Sequence, residues 1–228
     1  SQPRPRDSSL RSMDACLHEG ECHAGGYSTT SSRLLGSSLE RGTTVKVQTL
    51  PIPQAFVLEY SPYQDSRGYF TKLFSRPSFS ALGHPDSIEQ VNLSFTATRG
   101  TFRGLHYQIH PQFPEHKFVQ CLRGKVFDVL VDLRVGSPVF LQPTTLVLDG
   151  ASTNAILIPA GVAHGFQTLT DECLLLYLHS APYLTEHEGG IRYSDPRISL
   201  ELPLPISEIS ERDAAHQLVD ESFVGFDL

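Results

Sequence analysis

The chain has 228 residues, 39% of them hydrophobic, and its 25 acidic against 18 basic side chains give a formal net charge of −7. This length suits one domain with some extra chain, and the negative charge argues against a nucleic-acid-binding protein, which usually presents a basic surface to the phosphates. No apolar run approaches the length of a membrane span, and the polar N-terminus lacks the apolar core of a signal peptide, so we predict neither membrane insertion nor secretion.

The four cysteines are scattered and do not form a recognisable framework. Cys121 and Cys173 lie in apolar, strand-like runs, where a free cysteine behaves as a small hydrophobic residue. Cys16 and Cys22 stand near His23, but this group lacks a full ligand set at zinc-finger spacing. The pattern is typical of a reducing compartment, and we therefore predict a cytoplasmic location.

Residues 1–50 are rich in Ser, Gly, Arg and Thr and show no hydrophobic periodicity. This composition predicts an N-terminal tail that is disordered or loosely packed, with a short strand near residues 44–48. The residue pattern changes at Pro51, where short apolar runs begin, and we assign residues 51–228 to a single domain.

From Pro51 onward, short apolar runs alternate with turn-forming residues about every 8–12 residues, which is typical of antiparallel sandwiches and barrels. Long helical periodicity is almost absent, and we predict only short helices near residues 76–82 and 213–219. The Arg123-Gly124 pair predicts a tight hairpin between two of the runs. The predicted strands are 55–60, 69–74, 88–97, 101–109, 117–122, 125–133, 139–148, 154–158, 165–169 and 172–178.

Residues 99–119 place polar side chains between strand-like apolar ones. Arg103, His106, Gln108 and Lys117 all fall in this stretch. A strand that alternates in this way has one face in a core and the other in a cavity or in water. Because such polar residues are rarely buried without partners, we interpret the stretch as the floor of an active site.

Proton transfer is the chemistry that this set of side chains favours. An imidazole is a natural base for a carbon acid next to a carbonyl, and a nearby lysine stabilises the enolate oxygen as charge develops. A tyrosine on the opposite face can return the proton and so invert the centre. Tyr177 in the run LLLYL and Tyr183 just after it are the candidates. His164 lies in IPAGVAHGF, a turn that leads into a strand.

A metal site is the competing interpretation of the same histidines. Metal-binding cupins typically carry two histidines one residue apart, then a glutamate and a later histidine, whereas here Tyr107 and Gln108 follow His106. His110, Glu115 and His116 offer other ligands from a proline-bounded loop. Metal analysis and chelator sensitivity would separate a metal-dependent cupin enzyme from a metal-free one.

Several segments together resemble the dTDP-4-dehydrorhamnose 3,5-epimerase family: RGLHYQ, RGKVFDVLVDLR followed by GSP, IPAGVAHGFQTL, LLYLHSAPY and ISERD. They occur in the family's order between about residues 52 and 213. The resemblance implies an all-β, cupin-like jelly-roll barrel of antiparallel strands with few short helices. It also implies a homodimer that exchanges strands, and cofactor-free, metal-free epimerisation of a nucleoside-diphosphate 4-keto-6-deoxyhexose at C3, C5 or both through an enolate.

The resemblance also implies roles for single residues. It makes His106 the base, Asp213 of the ISERD segment its carboxylate partner, Lys117 the group near the keto oxygen, and Tyr177 the catalytic acid. It gives no role to His110, Glu115 or His116, and we interpret these three residues as lying at the rim of the pocket. The substrate-binding set that we assign is Tyr63, Arg67, Phe70, Lys72, Gln90, Asn92, Arg103, Gln108, His164, Tyr183 and Glu188.

The sequence departs from the family pattern at Lys72, where many members carry an acidic residue. A carboxylate suits thymine, whose N3 carries a hydrogen, whereas a lysine donor suits cytosine, whose N3 is an acceptor. One hypothesis is therefore that the substrate is a CDP-sugar or another nucleotide sugar. It requires that Lys72→Glu change the relative affinities for CDP- and dTDP-sugars. The alternative is that Lys72 points to solvent.

Two further departures from the family pattern are Leu178 after Tyr177, and Tyr193 with Asp195 in place of an aromatic–acidic pair that begins with tryptophan. These changes indicate a variant pocket around a complete catalytic set. A non-catalytic, sugar-nucleotide-binding cupin stays open as a second function class. Uptake of solvent deuterium into a 4-keto sugar would exclude it.

Overall fold

The computed structural model describes residues 32–35, 44–85 and 87–228, and this part of the chain is nearly all β-structure, as predicted. The α-helices are α1 (Arg76–Ser80) and α2 (Glu211–Ala214), and a 3₁₀ turn covers Thr185–His187. No helix in these ranges is long and apolar enough to cross a bilayer. The strands are β1 Ser32–Leu35, β2 Thr44–Thr49, β3 Phe56–Ser61, β4 Tyr63–Asp65, β5 Gly68–Phe70, β6 Gln90–Thr96, β7 Phe102–Gln108, β8 Lys117–Arg123, β9 Lys125–Asp132, β10 Pro143–Asp149, β11 Asn154–Ile158, β12 Val162–Thr168, β13 Cys173–His179 and β14 Glu188–Gly190.

The strands form two sheets and a separate hairpin. The seven-stranded sheet has the order β1-β2-β3-β11-β8-β13-β6, the five-stranded sheet has the order β10-β9-β12-β7-β14, and β4 pairs with β5. Every pairing of named strands is antiparallel. The two sheets face each other across a common core, which is the predicted cupin-like jelly roll.

Strands β1 and β2 fall within the segment predicted as a tail. They extend the edge of the seven-stranded sheet beyond β3, and β2 covers the strand predicted near residues 44–48. Val47 of β2 is buried against Leu58 and Tyr60 of β3. Residues 1–31 and 36–43 lie outside the described part of the chain, and the domain boundary at residue 50 stays a prediction.

The predicted hairpin at Arg123-Gly124 is wrong. Gly124 does make a turn, with a φ of +80° that favours glycine, but β8 and β9 on either side of it belong to different sheets. A Cβ at Gly124 would lie 2.7 Å from the side chains of Cys173 and Thr170. The glycine is therefore needed at a corner where the chain passes from one sheet to the other.

The second predicted helix is also displaced. It spans Glu211–Ala214 instead of residues 213–219, because Ser210 caps it and its side chain accepts a hydrogen bond from the Asp213 N–H at 3.0 Å. The early start places Asp213 inside the helix, where its side chain is buried against β7.

Alternation along β8 and β13 builds the core and then the site. Val119 and Cys121 of β8, and Cys173 and Leu175 of β13, point between the sheets and are buried. Burying Val119 or Leu175 contributes roughly 1.5–3 kcal/mol. The next inward positions toward one end of the sandwich are polar, so the same face that forms the core continues as the wall of a cavity.

Candidate active site

A cavity of about 300 Å³ opens between the two sheets at this end of the sandwich. Its walls come from β7 and β12 of one sheet, β6, β8 and β13 of the other, and the segment that leads to β14. Most of the predicted site residues meet there. Those that line it are Gln90, Asn92, Arg103, His106, Gln108, Lys117, His164, Tyr177, Tyr183 and Glu188.

A bulge in β7 brings Arg103 and His106 to the same wall. His106 pairs with His164, and Arg103 pairs with Phe166. The two residues are three positions apart on β7 but their partners are only two apart on β12, so β7 contains one extra residue. Strict alternation would send residues three apart to opposite faces, whereas the extra residue returns them to one face. Gly104 occupies the bulge with a φ of +131°, and a Cβ there would lie 2.5 Å from the Cα of Gly165.

His106 and Asp213 form a hydrogen-bonded pair, although they are 107 residues apart in the chain. Nε2 of His106 lies 2.8 Å from Oδ1 of Asp213, and the Gly104 N–H donates to Oδ2 at 3.0 Å. Burial by itself would raise the pKa of Asp213, but these bonds outweigh it and lower the pKa to about 2. With Nε2 held, Nδ1 is the ring nitrogen left for the cavity, and the His106 side chain is 35% exposed.

The depressed pKa of Asp213 predicts a pH-dependent contribution to stability. The ionised carboxylate stabilises the fold above its unfolded pKa of about 4, and this contribution is lost as the pH falls through the folded value of about 2. We expect Asp213→Asn to lower the free energy of unfolding by about 2 kcal/mol at pH 7, and the difference from wild type to shrink between about pH 4 and pH 2. Urea denaturation across this range measures it.

The matched control is Glu211→Gln on the exposed side of the same helix. Because the Glu211 side chain is exposed, the free energy of unfolding of this variant should differ little from that of the wild type. A difference in the free energy of unfolding between Asp213→Asn and wild type that did not change with pH would contradict the coupling of stability to the ionisation of Asp213.

Lys117 lies at the start of β8 with its ammonium group held in the wall. Nζ is 3.1 Å from Oε2 of Glu115 and donates to the backbone carbonyl of His106 at 3.4 Å. Burial would raise the pKa of Glu115, but Lys117 and His179 outweigh it and lower the pKa to about 2. The interpretation of Glu115 as a rim residue is therefore wrong, because it is buried in the cavity wall.

Tyr177 projects into the cavity from β13, on the sheet opposite His106. Burial, reinforced by the negative charge of Asp128, raises the pKa of its phenol well above the usual value, so the hydroxyl stays protonated at neutral pH. Within the described residues, no group accepts a hydrogen bond from this hydroxyl. The O–H is thus available to a molecule in the cavity.

His164 supports Tyr177 from the five-stranded sheet. Their rings meet edge to face with centroids 5.9 Å apart, and Nε2 of His164 lies 3.0 Å from Oδ2 of the fully buried Asp128. Sequence reasoning missed Asp128. The signal was its place in the apolar run VFDVLVDL, since a carboxylate in a buried strand needs a partner.

Other predicted substrate-binding residues hold the wall itself. Gln90 donates to the Ala181 carbonyl at 2.8 Å. Gln108 donates to the Pro182 carbonyl at 2.9 Å and accepts from the Leu184 N–H at 2.8 Å. These bonds fix the segment after β13.

The same segment carries two further predicted substrate-binding residues, Tyr183 and Glu188. The Tyr183 hydroxyl donates to Glu188 at 2.7 Å, and Glu188 is also 2.7 Å from Arg212 of α2. The pair therefore ties the cavity wall to the helix that holds Asp213.

Tyr63, Arg67, Phe70 and Lys72 do not line the cavity of their own chain. The first three lie on or beside the β4–β5 hairpin, and Lys72 follows it. Tyr63 and Phe70 are more than half exposed, and Arg67 pairs with Asp65 of the same hairpin at 2.6 Å. The structure thus separates these four predicted residues from the rest of the set.

The loop histidines and Glu115 do not converge on a metal site. The His110 ring packs against Phe113 and His187, His116 contacts His84, and Glu115 binds Lys117 and His179.

His216 is a second residue that sequence reasoning missed. It lies beside His106 and Asp213, and the potential metal-ligand atoms of these three side chains all lie within 4.8 Å of one another. Because Asp213 already accepts a hydrogen bond from His106, an ion here would have to replace that bond.

The family model for dTDP-4-dehydrorhamnose 3,5-epimerase matches residues 49–221 of the chain. A dTDP-4-dehydrorhamnose 3,5-epimerase of Sinorhizobium fredii is 36% identical over 180 residues, which are 78% of this chain and 92% of the relative.

Solved structures are similar as well. The dTDP-4-dehydrorhamnose 3,5-epimerase of Elizabethkingia anophelis has a TM-score of 0.73 at 28% identity, over 78% of this chain and 98% of that one. A 4-keto-6-deoxy sugar epimerase from the novobiocin biosynthetic gene cluster of Streptomyces spheroides has a TM-score of 0.72 at 35% identity, over 80% of this chain and 92% of that one. By sequence and by structure, this chain belongs to the dTDP-4-dehydrorhamnose 3,5-epimerase family.

Proposed function

We propose that this protein is an isomerase that inverts C3, C5 or both of a nucleoside-diphosphate 4-keto-6-deoxyhexose. The observation that carries the proposal is that two side chains suited to proton transfer lie on opposite walls of the cavity. His106, held by Asp213 of α2, faces the cavity from one sheet, and Tyr177 faces it from the other. A base and an acid on opposite sides of one carbon are what inversion requires.

The mechanism follows from these positions. C3 and C5 both lie next to the C4 ketone, so their hydrogens are acidic. His106, oriented by Asp213, takes the proton from one face, and the electron pair moves onto the C4 oxygen. The Lys117 ammonium group stabilises that oxygen as its charge develops. Tyr177 then donates its proton to the opposite face, the ketone re-forms, and the centre is inverted without a cofactor or a metal.

The nucleotide that we propose is dTDP, because the relatives and structures that this chain matches include several named for dTDP sugars. The CDP alternative depends on Lys72, which is partly buried beyond the hairpin. In the wild type, preference for dTDP- over CDP-4-keto-6-deoxyglucose supports the proposal. Preference for the CDP sugar that reverses in Lys72→Glu would favour the alternative.

The experiment that tests the function is a product analysis. Purified protein is incubated with each 4-keto sugar nucleotide, with and without a chelator, and proton couplings in the NMR spectrum report which ring carbon has inverted. We expect an inverted product at an unchanged rate in the chelator. Binding without any product would favour the non-catalytic cupin, and loss of activity in the chelator would favour the metal-dependent enzyme.

We propose that the protein is a homodimer in which the β4–β5 hairpin completes the partner's cavity. The support is that Tyr63, Arg67 and Phe70 are exposed and lie outside the cavity of their own chain. They are the residues to which the family resemblance gives a substrate-binding role. A site divided between two subunits reconciles these two observations.

Strand β6 supports the dimer independently. It is the edge of the seven-stranded sheet, and Val91, Leu93 and Phe95 on one of its faces are 62%, 64% and 52% exposed. An open edge with an apolar face invites pairing with another chain. Because Asn92 and Ser94 of the same strand line the cavity, a partner bound at this edge would lie next to the site.

Mixing two inactive variants tests the shared site. His106→Asn removes the base and Arg67→Ala removes a hairpin residue. If the hairpin acts on the partner, each mixed dimer contains one intact site, and random pairing of refolded subunits should restore about a quarter of wild-type activity. Scattering measurements give the oligomeric state. A mixture as inactive as the separate variants would contradict the exchange, provided that mixed dimers form.

We also propose a cytoplasmic location. Cys121 and Cys173 are free and buried, as predicted, which supports a reducing compartment. Burial raises the pKa of the Cys121 thiol to about 12, so this residue is an unreactive member of the core.

A further inference from the structure

A third histidine–carboxylate pair, His179 with Glu115, lines the cavity and has no task in the mechanism above. Nδ1 of His179 lies 2.9 Å from Oε1 of Glu115, whose Oε2 is 3.1 Å from Nζ of Lys117. The Glu115 side chain is 7% exposed and that of His179 is 13% exposed. Groups buried to this degree need partners, and each carboxylate oxygen has one.

His179 follows Tyr177 by two residues on β13, so both project from the same face of the strand. Their rings are nearly parallel, with an interplanar angle of 16° and centroids 5.9 Å apart. His106 lies on β7 of the other sheet, and Asp213 holds it from α2. The wall that carries Tyr177 therefore also carries an imidazole held by a carboxylate, next to the residue that acts as the acid.

The two nitrogens of His179 have different environments. Nδ1 is held by Glu115, whereas Nε2 has no hydrogen-bond partner among the described residues. Glu115 remains ionised, since Lys117 and His179 lower its pKa to about 2 against the effect of burial. The carboxylate on Nδ1 orients the ring, so Nε2 is the nitrogen left to exchange a proton with a neighbouring group.

Tyr177 needs such a donor. After it has protonated the sugar, Tyr177 is a phenolate beside the buried carboxylate of Asp128, and burial and this charge both disfavour that form. The enzyme is ready for a further turnover only when the phenolate has recovered a proton. Of the histidines that line the cavity, His179 is the one on the same strand as Tyr177.

We propose that His179, held by Glu115, is a proton-relay residue that returns a proton to Tyr177 after each inversion. The inference rests on the proposed function. The N–H bond at Nε2 of protonated His179 breaks, the O–H bond of Tyr177 re-forms, and neutral His179 takes its replacement proton from water. His106 releases the proton taken from the sugar to water, so each turnover balances. Glu115 is a positioning residue, because it acts through His179.

The test separates the first turnover from later ones, because the relay acts after the sugar has been inverted. His179→Gln removes the imidazole that exchanges protons, and Glu115 keeps its ion pair with Lys117. With enzyme in excess over dTDP-4-keto-6-deoxyglucose, we expect this variant to match the wild type within about threefold. With substrate in excess, we expect a burst of one product per site and then a steady-state rate lowered by about 10²-fold. Added imidazole should restore part of that rate.

Glu115→Gln is the second variant, for the case that His179→Gln does not fold. Because Glu115 also pairs with Lys117, we expect this variant to slow both the first turnover and the steady state, with the larger loss in the steady state. His187→Gln is the matched control, since His187 lies outside the cavity, and it should behave as the wild type in both regimes. Equal losses in both regimes would indicate a structural role, and an unchanged steady-state rate would exclude the relay. Either result overturns the inference, whereas an inactive wild type would overturn the proposed function itself.

Discussion

Replacing His106 by asparagine should lower kcat for epimerisation by about 10³-fold, because the variant has lost the imidazole that accepts the sugar proton. Asp213 keeps the hydrogen bond from the Gly104 N–H in this variant, so the carboxylate is not left unpaired and the fold should persist. Steady-state kinetics with dTDP-4-keto-6-deoxyglucose measure the loss, and KM should change much less than kcat.

The same variant should also lose the exchange of ring hydrogens with solvent deuterium, since no proton is removed. His110→Asn is the matched control. This histidine packs against Phe113 and His187 outside the cavity, so its replacement should leave both activities intact. An active His106→Asn enzyme would mean that another group is the base.

Replacing Tyr177 by phenylalanine should separate exchange from inversion. His106 and Lys117 are untouched, so the proton is still removed and returned on its own face, and deuterium uptake should stay within about tenfold of wild type. Formation of the inverted sugar should fall by about 10²–10³-fold, because the opposite face has lost its donor. Parallel NMR measurements of deuterium content and product stereochemistry give both rates.

The Tyr177→Phe variant should fold normally, which makes its kinetics interpretable. The hydroxyl has no hydrogen-bond partner among the described residues, so its removal should change the free energy of unfolding by less than about 1 kcal/mol. Inversion at the wild-type rate in this variant would exclude Tyr177 as the acid. Loss of exchange together with inversion would indicate a disturbed site instead of a missing donor.

The fold was largely predictable because short apolar runs are a local signal. In β8 and β13 such runs, bounded by turn-forming residues, identify the strands, and both were predicted within a few residues of their bounds. The corner at Gly124 was not predictable in this way. A glycine between two strands indicates a turn, but it does not say whether the strands pair with each other or enter different sheets.

Contacts between distant residues of the site could be predicted only where a family motif indicated that those residues lie together. Alternation alone would have sent Arg103 and His106 to opposite faces, and the bulge at Gly104 is what unites them. The contact between His106 and Asp213 spans 107 residues and came from the family resemblance. The partners Glu115 and His179 were missed because they meet only when β8 and β13 pair in register.

The four residues on and after the hairpin show a different limit. The resemblance assigns substrate-binding roles to Arg67 and its neighbours, yet they lie outside the cavity of their own chain. Sequence motifs report that a residue belongs to a site, but not which subunit contributes it. This is why the complementation experiment bears on the dimer as well as on the residues.

The central claim is that a proton leaves the sugar on one wall of the cavity and another enters from the opposite wall. The most direct test is the wild-type reaction with dTDP-4-keto-6-deoxyglucose in deuterated water, followed by NMR at C3 and C5. We predict that every inverted carbon carries deuterium from the solvent, because the proton that His106 removes differs from the one that Tyr177 delivers. An inverted carbon that retained its original hydrogen would contradict the two-wall mechanism.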